Sequence, residues 1–333
     1  MLNELEVVLE NGSGKFRVLA MKLIAGTFVV LGSIPLLSAP AFANPVVPPI
    51  DNFYYVPYYA SAATTNTWGC DQAQADANTG HNSIVVLDFG RQNASGSGTY
   101  LIGSNSFMAL STEQALTEQF ALGYQQCGTH AEYLTLTMGT TNYSNSTGSN
   151  LTYSNGSIWG QTVQGAINNI VSANYVNVTI DGAGDWESWG AFSELVNWES
   201  GYVSATNASI YDFGTADGCR DYYNQELNNH YCNNGWYQDS VVTASWGWPP
   251  AFALPEIYYN GCNSYAVEDI QWGMISLRAV NNGTGPIYFS GSLASPSAPG
   301  SCESPQGAYI DLWNVINNTP STAMTPNFAT SLG

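Results

Sequence analysis

The stretch IVVLDFG, residues 84–90, decides how the rest of the chain reads. An apolar, β-branched run of strand length stops at an acid and a glycine. The same outline returns in YLTLTMG (133–139), VNVTIDG (176–182), SIYDFG (209–214), VVTASWG (241–247), PEIYYNG (255–261) and PIYFSG (286–291). Between these runs lie helical patterns at 111–126, 157–174, 191–205, 263–280 and 308–318. Ser111 with Gln114 fits a capping box at the first of them. Alternating β and α elements with buried strands predict parallel pairing and right-handed crossovers. Seven strands are counted this way, and an eighth is expected in TYLIG (99–103) or FYYVPYY (53–59). The expected fold class is α/β, a (β/α)8 TIM-like barrel stapled by disulfides. It is distorted near 241–261, where two runs leave no room for a helix between them. An open α/β sheet is the alternative.

The domain plan follows. Residues 1–43 read as an N-terminal extension plus a secretory signal peptide. Met21-Lys22 precedes an apolar segment and the small-x-small site Ala41-Phe42-Ala43, so cleavage is expected after Ala43. Residues 44–83 read as an extended lead-in, 84–320 as a single barrel domain and 321–333 as a C-terminal tail. The expected location is extracellular, with no membrane insertion after cleavage. Polar, low-complexity 139–157 is expected as a long loop.

Charge narrows the function. Residues 44–333 contain no lysine and three arginines, Arg91, Arg220 and Arg278. They hold 22 of the chain's 25 acids, since Glu4, Glu6 and Glu10 lie upstream. Nothing there could neutralise phosphates, so nucleic acid and anionic membranes are excluded as expected partners. With few cations to pair its carboxylates, the chain reads either as acid-tolerant or as an ordinary acidic, soluble secreted protein. Six cysteines behind a signal peptide imply disulfides. Neighbour pairing is expected: Cys70–Cys127, Cys219–Cys232 and Cys262–Cys302.

In a barrel, chemistry sits where strands end. The strand ends gather Asp88, Asp181, Asp185, Glu187, Asp212, Ser245, Trp246, Glu256, Tyr258 and Tyr288. Carboxyls can act as acid, base or nucleophile, and aromatic rings stack on sugars. In TIDGAGDWESWG (179–190), residues i and i+2 of a continuing strand would aim Asp185 and Glu187 at one mouth. Two adjacent acids without a cation raise each other's proton affinity. The expected catalytic residues are Glu187, Asp185, Asp88 and Asp212, the last two as candidates for a second carboxylate. The expected substrate contacts are Trp186, Trp246, Tyr258, Tyr288 and Glu256. A turn leading into the next helix is the structural alternative for the acids, and a cation loop the other. Three carboxyls fall short of a calcium set, so no metal is expected. No cofactor is expected either, because no P-loop, dinucleotide glycine pattern, GxSxG or HExxH is present.

The D-x-E at a strand end, Asp88 after the first run and the P-x-I-Y of 255–258 resemble glycoside-hydrolase-like barrels, including chitinase-like and muramidase families. GDWESWGAFSELVNWESGY (184–202), YDFGTADGC (211–219), LPEIYYNG (254–261) and YAVEDIQWGMISL (265–277) resemble more closely a group of uncharacterised secreted bacterial, mostly actinobacterial, proteins with such a barrel. That group's D-x-E-P-x-W is matched by Asp185, Glu187 and Trp189, with Ser188 in place of proline. The likeness spans roughly 84–318. The muramidase likeness implies a Glu187 acid assisted by Asp185 and Asp88. The function expected is a secreted glycosidase acting on a polysaccharide or cell-wall glycan. The alternative is a non-catalytic glycan-binding or structural extracellular protein on the same barrel.

Overall fold

Residues 45–332 are described by a computed structural model, apart from 102–103, 105, 143–149, 222–230, 248–250, 259–266 and 298–300. The chain opens with β1 (Ile50–Tyr55), α1 (Ala62–Thr79) and β2 (Ser83–Asp88). A small antiparallel sheet follows: β3 (Arg91–Gln92), β4 (Gly98–Tyr100) and β5 (Phe107–Ala109). Then come α2 (Leu110–Cys127), β6 (Leu134–Thr141), α3 (Tyr153–Ser172), β7 (Val178–Asp185), α4 (Phe192–Ala205) and β8 (Ile210–Asp212). The last third holds α5 (Gln238–Val242), β9 (Ala251–Ala253), α6 (Glu268–Asn281), β10 (Gly291–Ala294), α7 (Pro305–Asn317) and β11 (Phe328–Leu332).

Eight of these strands form one parallel sheet in the order β10-β11-β1-β2-β6-β7-β8-β9. Single parallel bridges, Ala253 to Phe289 and Glu256 to Leu293, join its two edges. The result is a mixed α/β fold whose sheet is nearly closed into a barrel, rather than an open sheet.

Strand alternation sorts the core into two layers. Val85, Leu87 and Phe89 point outward and pack with Leu116, Phe120 and Trp159 of the helices. Ile84 and Val86 point inward and meet Phe53, Ala183, Phe213, Leu254 and Leu293. Each such fully buried side chain contributes roughly 1.5–3 kcal/mol. The helix layer is drawn tight by glycine. A Cβ on Gly69 of α1 would stand 2.0 Å from the Phe120 carbonyl oxygen of α2, and one on Gly123 would stand 1.9 Å from that of Asn66. The disulfide Cys70–Cys127 ties the same two helices.

The structure corrects several expectations. Residues 44–83 are not an extended lead-in, because they carry β1 and α1. Ser61 caps α1, accepting from the Thr64 N–H, and Gly80 ends it in the left-handed conformation. The tail 321–333 contains β11, which pairs with both β1 and β10. The eighth strand therefore comes from the 53–59 option, while Thr99 and Tyr100 of TYLIG belong to the small sheet. The run 241–247 is helical: α5 passes into a π-turn over Thr243–Gly247, burying Val241, Val242 and Ala244 against the helix layer. Tertiary burial overrides β-branched propensity there. This also explains why no helix fitted between 241–247 and 255–261. The capping box is absent, since α2 starts at Leu110 and places Ser111 inside its first turn.

Cys219–Cys232 is the second described bridge. Cys302 is disulfide-bonded, and Cys262 lies outside the described residues. No described helix is long and apolar enough to cross a membrane.

Candidate functional site

β7 ends in GAGD because its tip must be thin. The Trp186 indole folds back on Gly184, where a Cβ would stand 2.0 Å from a ring carbon. Trp186 is only 2% exposed and packs edge-on to Trp198 at 5.0 Å. With the indole turned into the wall, Asp185 and Glu187 on either side of it reach the mouth where the strands end.

Three carboxyls meet there. Asp185, Glu187 and Glu256 each offer an oxygen within 4.8 Å of the others. Asp185 and Glu256 are buried and Glu187 is half-buried. Thr141 Oγ1 donates to Asp185 Oδ2 at 2.9 Å, while Asp185 Oδ1 is buried without a hydrogen bond. Glu187 accepts from Thr215 Oγ1 at 2.8 Å and from the Trp189 indole N–H. Its main chain is clamped by Asn142, whose Nδ2 donates to the Glu187 carbonyl at 2.5 Å and whose Oδ1 accepts the Glu187 N–H at 3.2 Å. Glu256 arrives from the extension of β9 that bridges to Leu293. Asp88 completes the group from β2, on the inward face with Ile84 and Val86. Gly90 N–H donates to its Oδ1 at 2.8 Å, and its Oδ2 is buried without a hydrogen bond.

Burial without cations keeps these carboxyls protonated to unusually high pH. Burial pushes Asp88 up to about 7. Burial, then Glu187 and Asp88, hold Asp185 well above the usual carboxylate range. Burial, then Asp185 and Glu187, do the same to Glu256. Burial raises Glu187 as well, but the N–H of Trp189 and the hydroxyl of Thr215 pull it back by stabilising its anion. The cluster is thus asymmetric: Glu187 has two donors supporting its anion, while Asp185 and Glu256 are both held well above the usual carboxylate range.

Other expected site residues lie elsewhere. Asp212 faces the helix layer, where it accepts from Gly214 N–H at 3.0 Å and from the Ser245 hydroxyl. Its charge still acts on Asp185 and Glu187, but the carboxyl that stands beside those two is that of Glu256, expected only as a substrate contact. Trp186 is sealed in the wall and presents no face for a sugar. Trp246 and Tyr288 stack on each other at 6.3 Å, but Trp246 precedes the first residue of β9 and Tyr288 the first of β10. They belong to the end of the barrel opposite the carboxyls, because the segments read as strands there begin later. Tyr258 is buried close to Glu256, whose charge raises its hydroxyl further after burial. Asp181 lies deeper in β7 and accepts from Ser209 N–H at 2.7 Å.

Sequence reading missed Tyr55, Thr141, Asn142 and Thr215 as parts of the site, and met Trp189 only as the last residue of the D-x-E-x-W match. Tyr55 ends β1, is 40% exposed, and responds to the charges of Glu256, Asp88 and Asp185. Placing FYYVPYY as a strand end was the available signal for it. Thr141, Asn142 and Thr215 act through hydrogen bonds to residues far along the chain, which leave no spacing pattern.

Asp185, Glu187 and Glu256 form the one group of three among the described residues that could share a cation. An all-oxygen set suits a hard ion such as calcium, which takes about 6–8 ligands. No protein-family model matches this chain, and no curated protein matches it.

Proposed function

We propose that this is an exported (β/α)8-barrel protein that cleaves a glycosidic bond in an extracellular glycan by carboxyl acid–base chemistry. The observation that carries the reading is that Glu187 and Glu256 each offer an oxygen within 4.8 Å of the other where the strands end. Oxygens that approach within this limit suit the close carboxyl pair of a retaining enzyme, ~5–5.5 Å, better than the ~6.5–9.5 Å of an inverting one. Glu256 donates its proton to the leaving oxygen. Glu187, held as a carboxylate by Trp189 and Thr215, attacks the anomeric carbon as the glycosidic bond breaks. A water then displaces the sugar, losing its proton to Glu256, which is restored as the acid. Asp185 orients the pair, and Tyr55 and Tyr258 line the approach. The expected assignment of Glu187 as acid is thereby exchanged for the carboxylate role. The leader reading of 21–43 and the disulfides support passage through an oxidising compartment.

One observation favours a second reading, non-catalytic glycan binding: both Glu187 oxygens already hold hydrogen bonds. A single screen separates the two. The purified protein is assayed for reducing-end release on peptidoglycan, chitin and plant and fungal polysaccharides from about pH 3 to 7. Release supports hydrolysis. Saturable binding without release supports the second reading.

A further inference from the structure

Arg91 is uncommitted in a chain with almost no positive charge. Of the three arginines in 44–333, Arg278 is fork-paired with Asp239, its Nε and Nη2 each donating at 2.9 Å. Arg220 is engaged. Among the described residues, the Arg91 guanidinium has no hydrogen bond or ion pair. It lies half-buried at the start of β3, lining a small cleft with Gln92, Thr141, Asn142, Asn150 and Leu151.

That cleft shares a wall with the carboxyl cluster. Thr141 donates to Asp185, and Asn142 clamps Glu187. Each amide around Arg91 has one N–H already committed. Gln92 Nε2 donates to the Asn155 carbonyl at 3.1 Å, and Asn150 Nδ2 to the Gln92 carbonyl at 2.6 Å. Asn142 Nδ2 is held by Glu187. Each of these amides keeps one further N–H, but Arg91 is the one charged donor among the described residues lining the cleft, and its planar fork of donors matches a carboxylate. A neutral glycan has no need of a cation at this point. An acidic one, approaching a chain so rich in carboxyls, needs a local counter-charge.

We propose that Arg91 is an anion subsite beside the barrel mouth, and that the glycan bound there carries a carboxylated sugar such as a uronic acid. This rests on the glycan reading above and names its substrate class. The test measures binding without turnover, by calorimetry at about pH 5, where a uronate is ionised. Trigalacturonate and chitotriose are titrated into Glu187→Gln protein with Arg91 intact, and with Arg91→Gln or Arg91→Lys added. The expected result is at least about tenfold tighter binding of trigalacturonate, weakening with salt. Arg91→Gln erases the preference, and Arg91→Lys keeps part of it. Equal affinities, a preference untouched by Arg91→Gln, or no binding of either sugar overturns the subsite. Failure of the catalytic reading looks different: the parent protein binds trigalacturonate through Arg91 but releases no reducing ends from any acidic polymer.

Discussion

Asp-Phe-Gly ends two strands of this barrel, Asp88-Phe89-Gly90 after β2 and Asp212-Phe213-Gly214 after β8. Locally the copies are alike. Each aspartate accepts the glycine N–H two residues on, at 2.8 and 3.0 Å, and burial lifts each carboxyl to about 7. Their directions differ. Asp88 is in phase with Ile84 and Val86 inside the barrel, and Phe89 meets the helices. Asp212 is in phase with Ile210, faces the helices and binds Ser245, while Phe213 packs inside on Phe53 at 5.2 Å. A shift of one residue in the phase of a strand exchanges its two faces. The same tripeptide therefore supplies an acid to the mouth once and seals one in the wall once, so position rather than motif decides which carboxyls can do chemistry.

The largest expected effect breaks that contrast if it fails. Glu187→Gln and Glu256→Gln each lower kcat by about 10³-fold, the range of acid–base catalysis, without lowering Tm. Asp212→Asn leaves kcat within about twofold, because its carboxyl does not reach the mouth. Steady-state kinetics on the substrate found by the polysaccharide screen decide it. If Asp212→Asn costs as much as Glu256→Gln, the division between mouth and wall is wrong.

Mouth and wall share one property, carboxyls buried without cations, and this sets how stability depends on pH. Burial raises Asp88 and Asp212 to about 7, Asp181 to about 6 and Glu113 to about 8. A carboxyl whose folded pKa lies above its unfolded value stabilises the fold fully below the unfolded pKa. That contribution is lost as pH rises through the folded one. The window runs from about pH 4 to about 8, and stability falls across it. Calorimetry should show Tm dropping by on the order of 10 °C between those limits. A Tm that rises with pH would mean these groups are solvated or paired in the folded protein.

How much of this was legible in the sequence can be seen residue by residue. Apolar or β-branched runs closed by glycine revealed β2, β6, β7 and β8; β2 is continuously apolar, and β6 and β7 alternate at the period of a strand. β11 is short and half polar, FATSL, and carries no such signal; only its pairing with β1 and β10 makes it a strand. VVTAS looked like a strand and is helical, since its β-branched residues are spent on helix-layer burial. At the site, Asp185, Glu187 and Asp88 were legible as strand-end acids. Glu256 was found as a substrate contact, but not its place beside Asp185 and Glu187, because nothing in PEIYY tells which carboxyls it will meet. Asp212 was misplaced by the one-residue phase that a three-residue strand cannot reveal.

A smaller effect sharpens the wall side of the contrast. Glu199 in the middle of α4 is 1% exposed, neither of its carboxyl oxygens has a hydrogen bond, and Asp212 lies close enough to raise it further after burial. A buried polar group left unsatisfied costs about 1–3 kcal/mol, which an apolar side chain of similar shape recovers. Glu199→Met should therefore raise stability by about that amount at pH 7, and less at pH 4, where the carboxyl is neutral in both states. Chemical denaturation at the two pH values measures it. Loss of stability at both would show that Glu199 has a partner the wall conceals.

The smallest expected effect tests the division of labour inside the mouth. The Trp189 N–H stabilises the Glu187 anion, and Trp189→Phe removes that donor while keeping an aromatic ring. Glu187 must then gain a proton at higher pH than before. If it works as the carboxylate, activity requires it ionised, so the acid limb of the kcat/KM profile moves to higher pH. If it works as the acid, activity requires it protonated, and the basic limb moves up instead. The direction of movement is the same in both cases; the limb that moves is not. Thr215→Val, removing the other donor, should move the same limb. Movement of the basic limb in either variant would return Glu187 to the acid role and leave Glu256 as the nucleophile.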